Sequence, residues 1–328
     1  MKVAAFDVHD YEEKEFALAP SYGLEVTLCR EKLTASTLSL AQNCTGISVL
    51  GHSVLDREIL ESLKRAGVKF ISTRTIGYNH IDMKAAKELG LKVSNAQYSP
   101  YNVADYTIML MLMLLRKVKV SIIRALVNDF SLDEMMGREL RSLTVGIVGA
   151  GKIGKTVIQN LSGFGCKILV YDPYVAAEAL PAYVKKVSFE ELLTSSDLIS
   201  LHVPYTGENL HLLSREQFQM MKKGALLVNT ARGELVDTEA LIEALESGQL
   251  GGAGIDTVEN EANVCHVDLG TSIVPKRDIF YLKQFPNVVY TPHLAFFSEE
   301  ATAAMVTSSL ESLKLFETNQ PNPYEIKL

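Results

Sequence analysis

Short apolar runs alternate with stretches of helical periodicity from one end of the chain to the other. In the first third, Val3–Phe6, Val26–Cys29, Ile47–Leu50, Val68–Ser72 and Val93–Asn95 predict strands, while Asp56–Ala66 and Met83–Leu89 predict helices between them. Runs this continuously apolar suit strands covered on both faces, as in a parallel sheet wound with helices. The rhythm restarts at Thr144–Val148 and goes on through Lys167–Tyr171, Leu198–His202, Leu226–Asn229, Gly254–Asp256 and Val288–Thr291. The pattern predicts an α/β protein with two doubly wound parallel-sheet domains.

Between the two sets, one long helix is predicted from Asn102 to about Asn128, opened by Ser99-Pro100. Its segment Met109–Leu115 is apolar on every face, which predicts burial all round, in the core or against a second copy of the chain. The last helical pattern, Ser298 to about Thr318, is expected to return to the first domain, because no strand follows it. Residues 1–100 with 299–328 then form one domain, and residues 101–298 form a second one inserted in it.

Composition changes this picture little. A chain of 328 residues is too long for one ordinary core, and 47% hydrophobic with 22% charged residues is a globular balance. A net charge of -7 argues against a nucleic-acid partner. The most apolar run, Ile108–Leu115, falls well short of the roughly 20 residues that span a bilayer, and the start of the chain, with Asp7 and Asp10, does not read as a signal peptide. Cys29, Cys44, Cys166 and Cys265 lack the spacing of a disulfide framework or a zinc site, so no metal is expected and a reducing cytoplasm suits the chain.

The first chemical signal is Gly149-Ala150-Gly151-Lys152-Ile153-Gly154, between the strand Thr144–Val148 and a helical pattern. The first glycine permits the turn, the second admits a pyrophosphate to the backbone, and the third lets helix and strand pack. The helix start offers N–H groups and a positive dipole to phosphate. Asp172 ends the next strand, where a carboxylate binds a ribose 2′-OH and repels a 2′-phosphate; the expected cofactor is NAD. A strand-end turn is the competing role for Asp172.

Ligands of a parallel sheet sit beyond the carboxyl ends of its strands. Arg232, Glu261 and His293 follow three such ends. Histidine is the natural proton donor near neutral pH, a carboxylate beside it favours its charged form, and arginine grips a carboxylate through paired N–H groups. Together beside a dinucleotide they suit reduction of a 2-keto acid. Each alone is more often an ordinary surface or structural residue.

At these residues the chain resembles the D-2-hydroxyacid dehydrogenases, in particular their D-lactate dehydrogenase branch. The resemblance rests on Thr73-Arg74-Thr75-Ile76-Gly77-Tyr78-Asn79-His80-Ile81-Asp82, Tyr98-Ser99-Pro100, residues 148–154, His202-Val203-Pro204, Asn229-Thr230-Ala231-Arg232-Gly233, residues 254–261 and Thr291-Pro292-His293. It implies a Rossmann-type cofactor domain inserted in a flavodoxin-like substrate domain. It implies His293 as proton donor, Glu261 as its partner in preference to Glu259, and Arg232 as substrate binder. It also implies Tyr98 and the amides of Ile76 and Gly77 on the substrate carboxylate, and Phe296 on the apolar side of the pocket. Cofactor contacts implied in this way are Gly149, Gly151, Lys152, Ile153, Gly154, Asp172, Val203, Pro204, Asn209, Thr230, Ala231, Arg232 and Asp256. Residues 72–82 and 103–112 look most like D-lactate dehydrogenases associated with glycopeptide resistance, but the acid at Asp172 departs from those that use NADP.

The resemblance narrows the substrate. Glu261 stands where formate dehydrogenases carry glutamine, and the 31 residues between Glu261 and His293 resemble the lactate branch in length. Pyruvate is the first expectation. Branched-chain or aromatic 2-keto acids and 2-oxoglutarate are alternatives, as is an NAD-sensing corepressor-like protein on the same fold. A homodimer is expected from the apolar helix.

Overall fold

The computed structural model describes residues 1–261 and 264–327. The chain forms two compact units, Met1–Ser99 with Phe297–Leu328, and Pro100–Phe296.

In the first unit the elements run β1 (Lys2–Ala5), α1 (Glu13–Phe16), β2 (Glu25–Leu28), β3 (Gly46–Val49), α2 (Arg57–Ala66), β4 (Phe70–Thr73), α3 (Met83–Glu88) and β5 (Lys92–Asn95). The strands make one parallel sheet ordered β2-β1-β3-β4-β5, the flavodoxin-like order. Local chemistry sets the helix ends. Asp56 caps α2 by accepting the Ile59 N–H at 2.9 Å, and Gly67, at φ +99°, closes it in the left-handed region. Leu60 and Leu63 then face Ile47, Val49 and Ile71 in one core. The chain's last helix (Glu299–Glu317) packs Val306, Leu310 and Leu313 with Val3 and Ala5, so it belongs to this unit.

The second unit opens with α4 (Tyr101–Leu115) and α5 (Val118–Leu126). It continues through β6 (Thr144–Val148), α6 (Lys152–Ser162), β7 (Lys167–Tyr171), β8 (Val184–Lys186), α7 (Phe189–Ser195) and β9 (Leu198–Leu201). Then come α8 (Arg215–Met220), β10 (Ala225–Asn229), α9 (Thr238–Glu246), β11 (Leu250–Ile255), α10 (Arg277–Gln284) and β12 (Val288–Tyr290); the terminal helix of the first unit is α11. The sheet is parallel throughout and ordered β12-β11-β10-β9-β6-β7-β8. This is the Rossmann order with one strand added, and it reverses between β6 and β9. The fold is therefore two doubly wound units, the Rossmann-type one inserted in the flavodoxin-like one.

The single helix predicted over residues 102–128 is instead two. Arg116 ends α4, and Lys117, at φ +49°, turns the backbone before α5 begins. The burial of Met109–Leu115 is also uneven: Leu110, Met111 and Leu115 are buried, while Met109 is exposed. Exposed apolar side chains gather farther on, at Ile122, Ile123, Leu126, Val127, Phe130, Leu132 and Met136. Among the described residues no helix is long and apolar enough to cross a membrane.

One residue of the first unit links this fold to pH. His80 lies beyond β4, its Nε2 3.1 Å from the Thr73 hydroxyl, and burial, aided by nearby His52, pushes its pKa down to about 4. An unfolded imidazole titrates near 6.5. Between those values the unfolded chain takes up a proton that the folded chain refuses. Stability present above about pH 6.5 is thus lost as pH falls toward 4. A His80→Asn variant is expected to show a flatter fall of Tm between pH 7 and pH 4.5 than the wild type. Equal slopes would remove this role.

Candidate active site

The glycine loop joins β6 to α6. Gly149 has φ +96°, and a Cβ there would lie 2.7 Å from the His202 carbonyl oxygen. A Cβ on Gly154 would collide with the Gly149 carbonyl, so these two positions keep helix and strand in contact. Gly151, the N-cap of α6, differs: a Cβ there would meet nothing within 4 Å. Open space at the start of an eleven-residue helix suits a pyrophosphate.

Asp172 follows β7 and is buried. Its Oδ2 accepts the Ala150 N–H at 2.7 Å, and its Oδ1 accepts from Tyr174 at 2.8 Å and Val175 at 3.1 Å. Burial alone would raise its pKa; the backbone N–H bonds outweigh that and hold the carboxyl below its usual range. It is an ionised anchor between the glycine loop and the strand-end turn. The turn role weighed against ribose recognition is therefore real: the carboxylate ties the turn after β7 to the glycine loop.

The loop after β9 carries His202, Val203 and Pro204. Asn209 organises it, donating to the Pro204 carbonyl at 2.8 Å and accepting from the Thr206 N–H at 3.0 Å. After β10, Asn229 accepts from the Ala231 N–H at 3.0 Å and donates to the Arg232 carbonyl at 2.9 Å. That closes a turn in which Thr230 meets the Thr107 hydroxyl of α4 at 2.8 Å. It leaves Arg232 half-buried at the strand end, its Nη1 donating to the Ala231 carbonyl at 2.7 Å.

Glu261 and His293 are brought together: Nδ1 of His293 lies 2.6 Å from Oε1 of Glu261. The other carboxylate oxygen accepts the Val258 N–H at 2.9 Å. Burial raises the pKa of Glu261, but the hydrogen bond and charge of His293 outweigh it, so the carboxyl is held below its ordinary value. Glu259, the competing acid, is engaged elsewhere. It meets Nε2 of His211 at 2.7 Å and the Thr238 hydroxyl at 3.2 Å.

Asp256 does more than its place in the cofactor set suggested. It is fully buried and accepts from the Thr291 hydroxyl at 2.6 Å, the Leu294 N–H at 2.8 Å and the Ala295 N–H at 2.9 Å. It ties the end of β11 to the segment that presents His293. No spacing in the sequence marks that role, because the donors, one hydroxyl and two backbone amides, lie far along the chain. Phe296 lies with its ring 6.1 Å from that of His293. In the first unit, Asn95 donates to the Ile76 carbonyl at 2.7 Å and the Thr75 hydroxyl to that of Gly77 at 2.6 Å, fixing the loop that precedes Tyr98 in sequence.

A Rossmann sheet with a histidine–carboxylate pair on its carboxyl rim suits a nucleotide-dependent oxidoreductase. Comparison with known proteins makes this specific. Residues 108–295 match the NAD-binding domain model of the D-isomer specific 2-hydroxyacid dehydrogenases. The chain is 45% identical over 305 residues to the D-specific alpha-keto acid dehydrogenase of Enterococcus faecium, covering 93% of each. It is 40% identical over 319 residues to an aromatic 2-oxoacid reductase of Clostridium sporogenes, covering 97% of this chain and 96% of that one. The crystal structure of a D-lactate dehydrogenase from Treponema pallidum is similar over 100% of both chains, with TM-score 0.90 and 31% identity. The chain belongs to the D-isomer specific 2-hydroxyacid dehydrogenase family, and its second unit contains that family's NAD-binding domain.

Proposed function

We propose that this protein is a D-lactate dehydrogenase that reduces pyruvate, with NAD as cofactor. The observation that carries the reading is the 2.6 Å contact between His293 and Glu261 on the carboxyl rim of the cofactor sheet. NAD bound in its reduced form supplies the hydride. With Nδ1 engaged by the carboxylate, His293 gives the proton of Nε2 to the keto oxygen, and the neutral imidazole then takes up a proton from solvent, the ionised Glu261 favouring its charged form. Arg232 grips the substrate carboxylate through its fork of N–H groups. Tyr98 and the amides of Ile76 and Gly77 are assigned to that carboxylate by the family resemblance, and Phe296 to the apolar side of the substrate.

A second reading, a larger 2-keto acid as substrate, is supported by the 40% identity to the aromatic 2-oxoacid reductase. One experiment separates them. The purified protein is given pyruvate, 2-oxoglutarate, 4-methyl-2-oxopentanoate and phenylpyruvate, each with NADH and NADPH, and nicotinamide absorbance is followed. The highest kcat/KM is expected for pyruvate with NADH, and NADPH is expected to be markedly poorer because Asp172 opposes a 2′-phosphate. A preference for phenylpyruvate moves the assignment to the second reading, and no turnover overturns both.

We also propose a homodimer, formed through the exposed apolar side chains of residues 122–136. Isolated surface leucines are common, but seven large apolar side chains exposed between residues 122 and 136 suit an interaction surface. Sedimentation is expected to give twice the 36.1 kDa chain mass. A monomer at micromolar concentration would remove the proposal.

A further inference from the structure

His293 holds a backbone conformation that most side chains avoid, with φ at +56°. Its place therefore depends on what surrounds it. Its N–H donates to the Asp256 carbonyl at 2.8 Å, and the Asp256 carboxylate takes the next two amides. Its ring is held by Glu261. Those anchors come from the end of β11 and the turn just after it.

The carbonyl of His293 has another anchor. Nε2 of His266 lies 3.0 Å from it, and since a carbonyl oxygen only accepts, this imidazole nitrogen carries the proton and donates. The ring of His266 also stands edge-on to Phe296 at 5.8 Å and 6.1 Å from the ring of His293, so the three rings form a triangle. His266 is itself placed from Glu261, whose carbonyl accepts the N–H of the adjoining Cys265 at 2.9 Å.

We propose that His266 is a positioning residue for the proton donor. Relief of a positive φ rotates the residue about its N–Cα bond, which swings its side chain and its carbonyl together while the N–H stays bonded. A donor on the carbonyl resists the rotation and keeps the imidazole aimed. The ring of His266 at the same time backs Phe296. This role rests on the reading of His293 as proton donor, and it does not require His266 to touch the keto acid.

Two substitutions separate the donor from the ring. His266→Phe keeps a ring and loses the N–H; His266→Gln keeps a side-chain N–H and loses the ring. His266 is exposed, so both variants are expected to fold, which thermal unfolding checks. With the best keto acid of the panel, His266→Phe is expected to lose about tenfold in kcat with the KM for NADH unchanged, since a slight misplacement of a catalytic group is costly. His266→Gln is expected to recover most of that loss. Wild-type kcat in His266→Phe, equal losses in both variants, or a rise in keto-acid KM alone would each overturn the proposal. His293→Ala is measured beside them. If it is inactive while His266→Phe is fully active, only this inference fails. If it keeps its kcat, the reading of His293 fails and takes this inference with it.

Discussion

Replacing His293 by alanine is expected to lower kcat for keto-acid reduction by on the order of 10²-fold or more while leaving the Kd for NADH nearly unchanged. The asymmetry follows from where the residue stands. His293 follows β12 at the far edge of the sheet, whereas the glycine loop follows β6, with β11, β10 and β9 between them. The variant keeps the loop, Asp172 and the α6 terminus, so the proposed determinants of cofactor binding are intact. What it loses is the proton delivered as the hydride arrives, an interaction made in the transition state, which lowers kcat rather than weakening binding. A hundredfold loss is about 2.7 kcal/mol of barrier. Stopped-flow measurement of hydride transfer with NADH already bound gives the number directly. A loss under tenfold would place the proton donor elsewhere, and a large change in NADH affinity would mean that the substitution had disturbed the rim itself.

Much of this site was legible in the sequence because its parts are local. A glycine loop between a strand and a helix is a contiguous signal, and its placement followed from the buried run Thr144–Val148. Glu261 and His293 could be placed on strand ends from the apolar runs before them. What stayed hidden was set by long-range packing. The edge strand β8 has only three residues, two of them lysine, so no apolar run announces it. β11 begins at Leu250, ahead of the predicted Gly254, because Gly251 and Gly252 leave no apolar run to announce its start. In the fold they are needed because a Cβ at Gly252 would come within 2.6 Å of the Asn287 carbonyl, and one at Gly251 would strike Gly224. Lys117 turns the chain in the left-handed region without the glycine or asparagine that usually marks such a turn. The clamp role of Asp256 and the donor role of His266 are of the same kind, since each depends on a partner 38 or 27 residues away that only the fold brings near.

Replacing Arg74 by methionine is expected to cost about 3–5 kcal/mol of stability in the first unit, the largest structural effect of any single change considered. Arg74 was legible only as one letter of the stretch around Ile76 and Gly77, yet its side chain is fully buried. Its Nε donates to Oε1 of Glu12 at 2.7 Å and its Nη1 to the Ser48 hydroxyl at 3.0 Å. Its Nη2 donates to the carbonyls of Phe6 and Asp7, both at 2.9 Å. One guanidinium thus binds the ends of β1, β3 and β4 at the base of the loop that carries Ile76 and Gly77. Methionine fills similar volume but leaves the buried Glu12 carboxylate and two carbonyls without their donor, and lysine has too few N–H groups to reach all of these acceptors. Urea unfolding of Arg74→Met, Glu12→Gln and the double variant tests this as a cycle. The double variant is expected to be more stable than the sum of the single losses implies, because removing both charges leaves no uncompensated one. A loss below about 1 kcal/mol for Arg74→Met would show that the carbonyls and Glu12 find water instead, and that the strand ends are held by the apolar core alone.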